Sequence, residues 1–308
     1  MECTVCGKKA VYTFRYNGTS ACREHFMQGF EKRVRQEIRK QIVFRKPKTR
    51  ISVAISGGKD SSVTLYILKK ILGERKDVVL SAFTVDEGIE GYRDSGLKAS
   101  IDLCRSLGIR HDVKSYSEVF GTTMDRVVKE DPDTIPCARC GPMRRELINE
   151  LSRIQEGDYV ALGLNLDDYA QSVLMNVVRG DLKKMSRMAP HTTEKEGLVR
   201  RVLPLRKIPE KEVVVYATLA GIPFDHSWCP YYGRAQRNTF REILQKLEER
   251  SPGAKFGIVR FSDDLRSSIT SEVYTEIGKC KYCGAPTSAE VCAVCSKKRI
   301  IPDNFEQS

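Results

Sequence analysis

The chain has 308 residues, 41% of them hydrophobic and 30% charged, enough for one sizeable α/β domain with small appendages. No apolar run approaches the roughly 18 residues of a membrane span, and the opening Met1-Glu2-Cys3 lacks the basic and apolar regions of a secretory leader, so a cytoplasmic protein is expected. The formal net charge of +12 fits a polyanionic partner such as RNA, and eleven cysteines in a cytosolic chain point to metal rather than disulfides.

Residues 1–25 carry Cys3-x-x-Cys6 and Cys22-x-x-His25, two ligand pairs at knuckle spacing that close a tetrahedral zinc site. Residues 11–18 between them alternate like a small hairpin with an Asn17-Gly18 turn, a piece too small to fold without its metal. A helix is expected over 30–44. Its basic run, Lys32, Arg33, Arg35, Arg39 and Lys40, reads equally as a solvated face or an RNA contact.

Residues 51–55 form a short apolar, β-branched-rich run that reads as a buried parallel strand. It runs into Ser56-Gly57-Gly58-Lys59-Asp60-Ser61, and residues 59–72 then repeat apolar positions at helical spacing. Strand, glycine turn and helix start make an anion site, with backbone N–H groups and the positive end of the helix dipole facing the turn. The ordinary nucleotide P-loop is excluded: the glycine it requires earlier in the turn is replaced by Val53, and Asp60 follows Lys59. A carboxylate beside a triphosphate makes sense if it holds Mg²⁺.

A second strand is expected over 78–85, ending in Asp86-Glu87-Gly88-Ile89, where Asp86 reads equally as a ligand or a helix N-cap. A strand near 110–114 and a helix near 118–129 follow. Cys137-x-x-Cys140 then opens a helix through 154. Alone, the pair reads as half a metal site, a redox pair or two unrelated thiols, and the nearest unassigned thiol downstream is Cys229. Residues 159–162 form a strand leading to a second glycine turn, Gly163, with Asp167 and Asp168 at a helix start. Two adjacent carboxylates at the mouth of a crevice favour a catalytic or substrate-orienting role for Asp168 over simple capping.

From Lys183 to Lys207 the chain is basic, and a basic helix (Arg234, Arg237, Arg241) precedes a last helix to Ile269; these cations are read as phosphate contacts or solvated charges. The tail has Cys280-x-x-Cys283 and Cys292-x-x-Cys295, a zinc-ribbon pattern. Cys104, the remaining thiol, fits a small core residue.

The loop at 56–61 resembles the PP-loop of ATP pyrophosphatases, which adenylate a carbonyl oxygen and displace AMP with a nucleophile. With the three-cysteine, one-histidine knuckle, the CxxC, the later Cys229 and the four-cysteine ribbon, almost the whole chain resembles tRNA 2-thiouridine synthetases of the TtuA type, relatives of TtcA. The resemblance implies a doubly wound parallel-sheet domain over 49–272, a zinc finger over 1–30, a basic linker helix over 31–48 and a zinc ribbon over 273–308.

It implies ATP and Mg²⁺ on Ala54, Ser56, Gly57, Gly58, Lys59, Asp60 and Ser61, with Ala82, Thr84, Ile89, Arg93 and Gly163 around the adenosine. Cys137, Cys140 and Cys229 would bind a [4Fe–4S] cluster with one iron free, alongside two zinc ions. Uridine O2 of a tRNA is adenylated and sulfide on the cluster displaces AMP, supplied by a ubiquitin-like thiocarboxylate protein or as free sulfide. Relatives suggest a homodimer. The chain departs from the pattern at Leu164 and Tyr169, where relatives commonly carry His and Glu, and Arg144 is the nearest match to a basic residue after the CxxC. The alternatives are a thiolase using a Cys140/Cys229 persulfide without a cluster, and a non-catalytic zinc-containing RNA-binding protein.

Overall fold

The computed structural model describes residues 1–44, 46–191, 193–268 and 277–296. Its centre is a parallel five-stranded sheet built from β3 (Thr49–Ala54), β4 (Val78–Asp86), β5 (Arg110–Ser115), β6 (Tyr159–Leu162) and β7 (Arg200–Val202), in the order β5-β4-β3-β6-β7. The numbering starts at β1 (Tyr12–Phe14) and β2 (Thr19–Ala21), an N-terminal hairpin, and ends at β8 (Gly278–Lys279) and β9 (Pro286–Thr287) near the tail. Chain order reverses between β3 and β6, so the crevice beyond their carboxyl ends is where a doubly wound sheet receives its ligand. The phosphate-loop sequence leaves β3 and the Gly163 turn leaves β6, which puts both at that crevice.

Helices cover both faces. In chain order they are α1 (Arg23–Gln41), α2 (Lys59–Leu72), α3 (Arg93–Ser106), α4 (Tyr116–Phe120), α5 (Met124–Glu130) and α6 (Pro136–Ile154). Then come α7 (Leu166–Val178), α8 (Leu182–Ser186), α9 (Glu210–Ala220), α10 (Arg237–Arg250) and α11 (Ala254–Ser268). The apolar run of 51–55 is buried because β3 is the middle strand: Ile51, Val53 and Ile55 pack with Val63, Leu65, Ile67 and Leu68 of α2. A separate cluster joins Tyr169 and Val173 of α7 to Leu244 of α10 and Val259 of α11, fixing the basic helices beside the crevice.

Several expectations need correcting. The helix expected over 30–44 starts at Arg23, because His25, read as a zinc ligand, also sits in its first turn. Phe30 on its inner face stacks on Tyr216 of α9 at 4.1 Å. Lys32, Arg35, Arg39 and Lys40 are exposed, but Arg33 turns inward to the buried Glu212 and to the Tyr16 hydroxyl at 3.1 Å. The helix expected over 118–129 is two helices. Gly121, at φ 66°, ends α4, and the Thr123 side chain accepts from Arg126 N to start α5. Arg206 is neither solvated nor free for phosphate: it pairs with Asp263 at 2.7 Å and stands 3.6 Å from the buried Glu37. Ile269, the expected end of the last helix, and part of the span 273–308 lie outside the described residues.

Candidate active site and metal centres

The loop after β3 is tied to itself and to its neighbours. Ser56 N donates to the Ser61 hydroxyl at 3.0 Å, and that hydroxyl donates to the Gly58 carbonyl at 3.0 Å. Gly57 sits at φ 80°, and a Cβ there would lie 2.1 Å from the carbonyl oxygen of Gly96 in α3. On the other side, a Cβ on Gly163 would meet Ser61 N at 2.7 Å. Backbone therefore approaches backbone from both flanks, leaving the first-turn amides of α2 at the mouth of the crevice.

Charged side chains converge on the same turn. Lys59 reaches Asp60 at 2.9 Å and Glu210, at the start of α9, at 2.7 Å. Burial opposes its charge, but these two carboxylates overcome that and hold its pKa above the ordinary lysine value. Burial raises the Asp60 pKa, opposed by Lys59 and by Asn165, whose amide donates to Asp60 Oδ1 at 3.0 Å. Asp168 lies one helical turn past Asn165, and the Asn165 side chain, not an aspartate, caps α7 by accepting from Asp168 N. The Asp168 carboxyl is pushed up to about 6, mainly by burial and then by Asp60, with Arg237 of α10 opposing from 3.4 Å. Its neighbour Asp167 has a structural role: it accepts from Glu210 N at 2.8 Å and pairs with Lys255.

A line of ion pairs connects this turn to the thiols. Arg93 donates to the Ser56 carbonyl at 3.2 Å and pairs with Glu87 at 2.6 Å. Glu87, fully buried, also pairs with Arg144 at 2.8 Å, and Arg144 donates to Cys140 Sγ at 3.2 Å. Cys137 and Cys140 lie one turn apart at the start of α6, Cys140 buried and Cys137 exposed. Burial pushes the Cys229 thiol up, opposed by a hydrogen bond from the Tyr231 backbone. The chain around Cys229 is pinned on both sides: Asp225 N donates to the Gly57 carbonyl at 2.8 Å, and Tyr231 donates to Asp125 at 2.6 Å. Cys140 and the segment before Cys229 are thus both tied to the loop after β3.

Among the described residues, only two groups of metal-ligating side chains bring their donor atoms within 4.8 Å of one another: Cys3, Cys6, Cys22 and His25, and Cys280, Cys283, Cys292 and Cys295. The Cys6–Cys22 separation of 3.8 Å and the Cys283–Cys292 separation of 3.7 Å agree with the ~3.8 Å between thiolates around tetrahedral zinc. They are far longer than the ~2.05 Å of a disulfide. Cys104 is buried in the main core, its thiol pushed up to about 12 by burial, as a structural cysteine should be.

Ser56 to Ser61, Gly163, Asp168 and Arg144 all lie along this crevice. Ala82, Thr84 and Ile89 are buried, and the Thr84 hydroxyl is engaged by the Ile55 carbonyl and His111, both at 2.8 Å. Asp86 is not a helix N-cap: its carboxylate accepts from Gly88 N, and α3 begins only at Arg93. Glu87, Asn165 and Glu210 carry the geometry without having been singled out from the sequence. A carboxylate immediately after the strand end was the available signal for Glu87, and an asparagine before a helical run was the signal for Asn165.

Comparison with known proteins agrees with this geometry. Residues 28–247 match the PP-loop domain family, and residues 2–27 match the N-terminal LIM domain of 2-thiouridine synthetase TtuA. The chain is 37% identical to the tRNA 2-thiolation protein NcsA of Haloferax volcanii, over 96% of this chain and 97% of that one. It is 32% identical to the tRNA-5-methyluridine(54) 2-sulfurtransferase of Pyrococcus horikoshii, over 100% and 97% of the two chains. Among solved structures it superposes on the U34-tRNA thiolase NcsA of Methanococcus maripaludis, solved with its [4Fe–4S] cluster. That match has a TM-score of 0.85 and 35% identity, covering 96% of this chain and 95% of the other. The family matches over 2–27 and 28–247, together with relatives and a solved structure matched over nearly the full length, leave one assignment: this chain belongs to the PP-loop family, in the branch that includes TtuA and NcsA.

Proposed function

We propose that the protein is an ATP-dependent tRNA sulfurtransferase that activates uridine O2 by adenylation and replaces it with sulfur. The observation that supports this reading is the line Ser56–Arg93–Glu87–Arg144–Cys140, which links the turn after β3 to the thiol of Cys140. The amides at the start of α2 hold the ATP phosphates, and Lys59 stabilises the charge that grows on the α phosphate as O2 attacks. Asp60 supplies the carboxylate for Mg²⁺. Asp168, titrating at about 6, is matched to holding or passing a proton near neutral pH.

Cys137, Cys140 and Cys229 fit a [4Fe–4S] cluster rather than a single ion. The NcsA relative carries such a cluster, and these are the thiols that remain here once the two terminal quartets and the buried Cys104 are set aside. When bound, such a cluster supplies an iron open to a sulfur ligand. Arg144 donates to the Cys140 sulfur and orients it. The quartets hold one zinc ion each and fold the finger around 1–30 and the ribbon around 273–308 onto a catalytic domain over 49–272. Sulfur arrives from a thiocarboxylate-bearing ubiquitin-like protein or as free sulfide.

The test is anaerobic purification with iron and acid-labile sulfide assays on wild type and Cys229→Ala. It is followed by AMP release and thiolated-uridine analysis with tRNA transcripts carrying U→C at position 34 or 54. About four irons per chain, lost in the variant together with thiolation, is the expected result. Thiolation with zinc alone after reconstitution would replace the cluster with a persulfide route. Absence of tRNA-dependent AMP release would refute the activity.

A further inference from the structure

The residue before Cys229 is the chain's single tryptophan, and it is 64% exposed. Trp228 is held edge-to-face against Tyr232, with ring centroids 4.9 Å apart, and the Arg241 guanidinium lies 5.9 Å from the indole and 5.8 Å from the phenol ring. The backbone beneath it is fixed. Ser227 donates to Asp225 at 2.8 Å and contacts Ser95 at 3.1 Å, while Arg234 donates to the carbonyls of Pro132 and Thr134 at 2.6 Å. An exposed indole on a flexible loop would collapse onto nearby apolar surface; this one is presented to solvent by a braced turn.

Charge decides what the aromatic face receives. Arg237 pairs with Asp168, whereas Arg241, the guanidinium beside the indole, has no carboxylate partner among the described residues. An exposed π-face with an unpaired guanidinium beside it suits an unstacked nucleobase with its phosphate better than an aliphatic protein segment. Trp228 immediately precedes Cys229, and the Arg241 beside its ring shares α10 with Arg237, which contacts Asp168.

We infer that Trp228 is a stacking platform for an unpaired tRNA base beside the target uridine, holding the loop open while the target enters the crevice. This rests on the reading of the protein as a tRNA sulfurtransferase. Stacking accepts any base, so Trp228 contributes affinity for an opened loop rather than identity of the neighbouring nucleotide.

Because the chain has one tryptophan, its fluorescence reports this position alone. Titrating the full-length holoenzyme with unmodified tRNA transcript should quench the emission with the same midpoint as the KM for tRNA. Trp228→Ala should raise that KM about 5- to 100-fold, with Trp228→Phe staying within about threefold of wild type, because a phenyl ring retains a face to stack on. Emission unchanged at tRNA concentrations that support thiolation, with a Trp228→Ala KM within about twofold of wild type, would overturn the stacking role and leave the sulfurtransferase reading standing. Failure of wild type to bind and thiolate tRNA would overturn both.

Discussion

Replacing Asp168 with Asn should make the protein more stable and less active, and the gain in stability should depend on pH in a fixed direction. The carboxyl titrates at about 6 in the folded chain, chiefly through burial and then through Asp60, against about 3.9 in an unfolded chain. A raised acid pKa means that the folded state holds the proton more tightly, so ionisation works against folding. The penalty is absent below about pH 3.9, grows as pH rises and is complete above about pH 6. Its size is about 3 kcal/mol at pH 8 and about half that at pH 5.

Asp168→Asn removes the penalty but weakens the 3.4 Å contact with the partly exposed Arg237, a loss of under about 1 kcal/mol. The net gain of about 2 kcal/mol at pH 8 corresponds to a melting midpoint higher by roughly 4 °C in a chain of this length, shrinking towards pH 5. Thiolation should meanwhile fall by about 100-fold or more. The measurement is thermal unfolding of nucleotide-free wild type and variant at pH 5 and pH 8 with zinc retained. A variant midpoint at or below wild type at pH 8, or an equal gap at both values, would refute the assignment of the raised pKa to this carboxyl.

Glu87→Gln leaves two guanidinium groups against a neutral amide. Since Arg93 is almost fully buried, a loss of about 3 kcal/mol is expected, read as a lower melting midpoint together with weaker ATP binding by calorimetry. Gly57→Ala forces a methyl group onto the Gly96 carbonyl at a positive φ, so ATP binding should fall at least about tenfold while α10 and α11 keep their protection in hydrogen exchange. Wild type should contain about two zinc ions per chain by elemental analysis, and Cys6→Ser and Cys283→Ser should each lose about one. The KM for tRNA should rise steeply between about 50 and 200 mM salt, whereas kcat at saturating tRNA should vary little.

What could be read from the chain alone was whatever lies close in sequence. The 52–62 stretch carries its own strand, turn and helix start, and each terminal quartet announces itself by ligand spacing. Even there, a second role concealed the first: His25 was legible as a ligand but not as part of a helix. The missing pieces were contacts across long separations. Gly96 matters because it lies against Gly57, and Arg237 because α10 returns to Asp168; neither is adjacent until the sheet has formed. Cations were the least legible class, since sequence cannot tell a solvated arginine from Arg33 or Arg206, which face buried carboxylates.

Glu87 joins Arg93 on the nucleotide side to Arg144 on the sulfur side, so neither half of the crevice can be remodelled without disturbing the other. A change of RNA target is not blocked in the same way, because the exposed ring of Trp228 and the guanidinium of Arg241 take no part in that shared anchor. Selection for a different loop, or for a different position within one, can then work on the rim while the interior is inherited unchanged. Under the proposed roles, that division of labour would let relatives named for U34 and for 5-methyluridine(54) both resemble this chain over nearly its whole length.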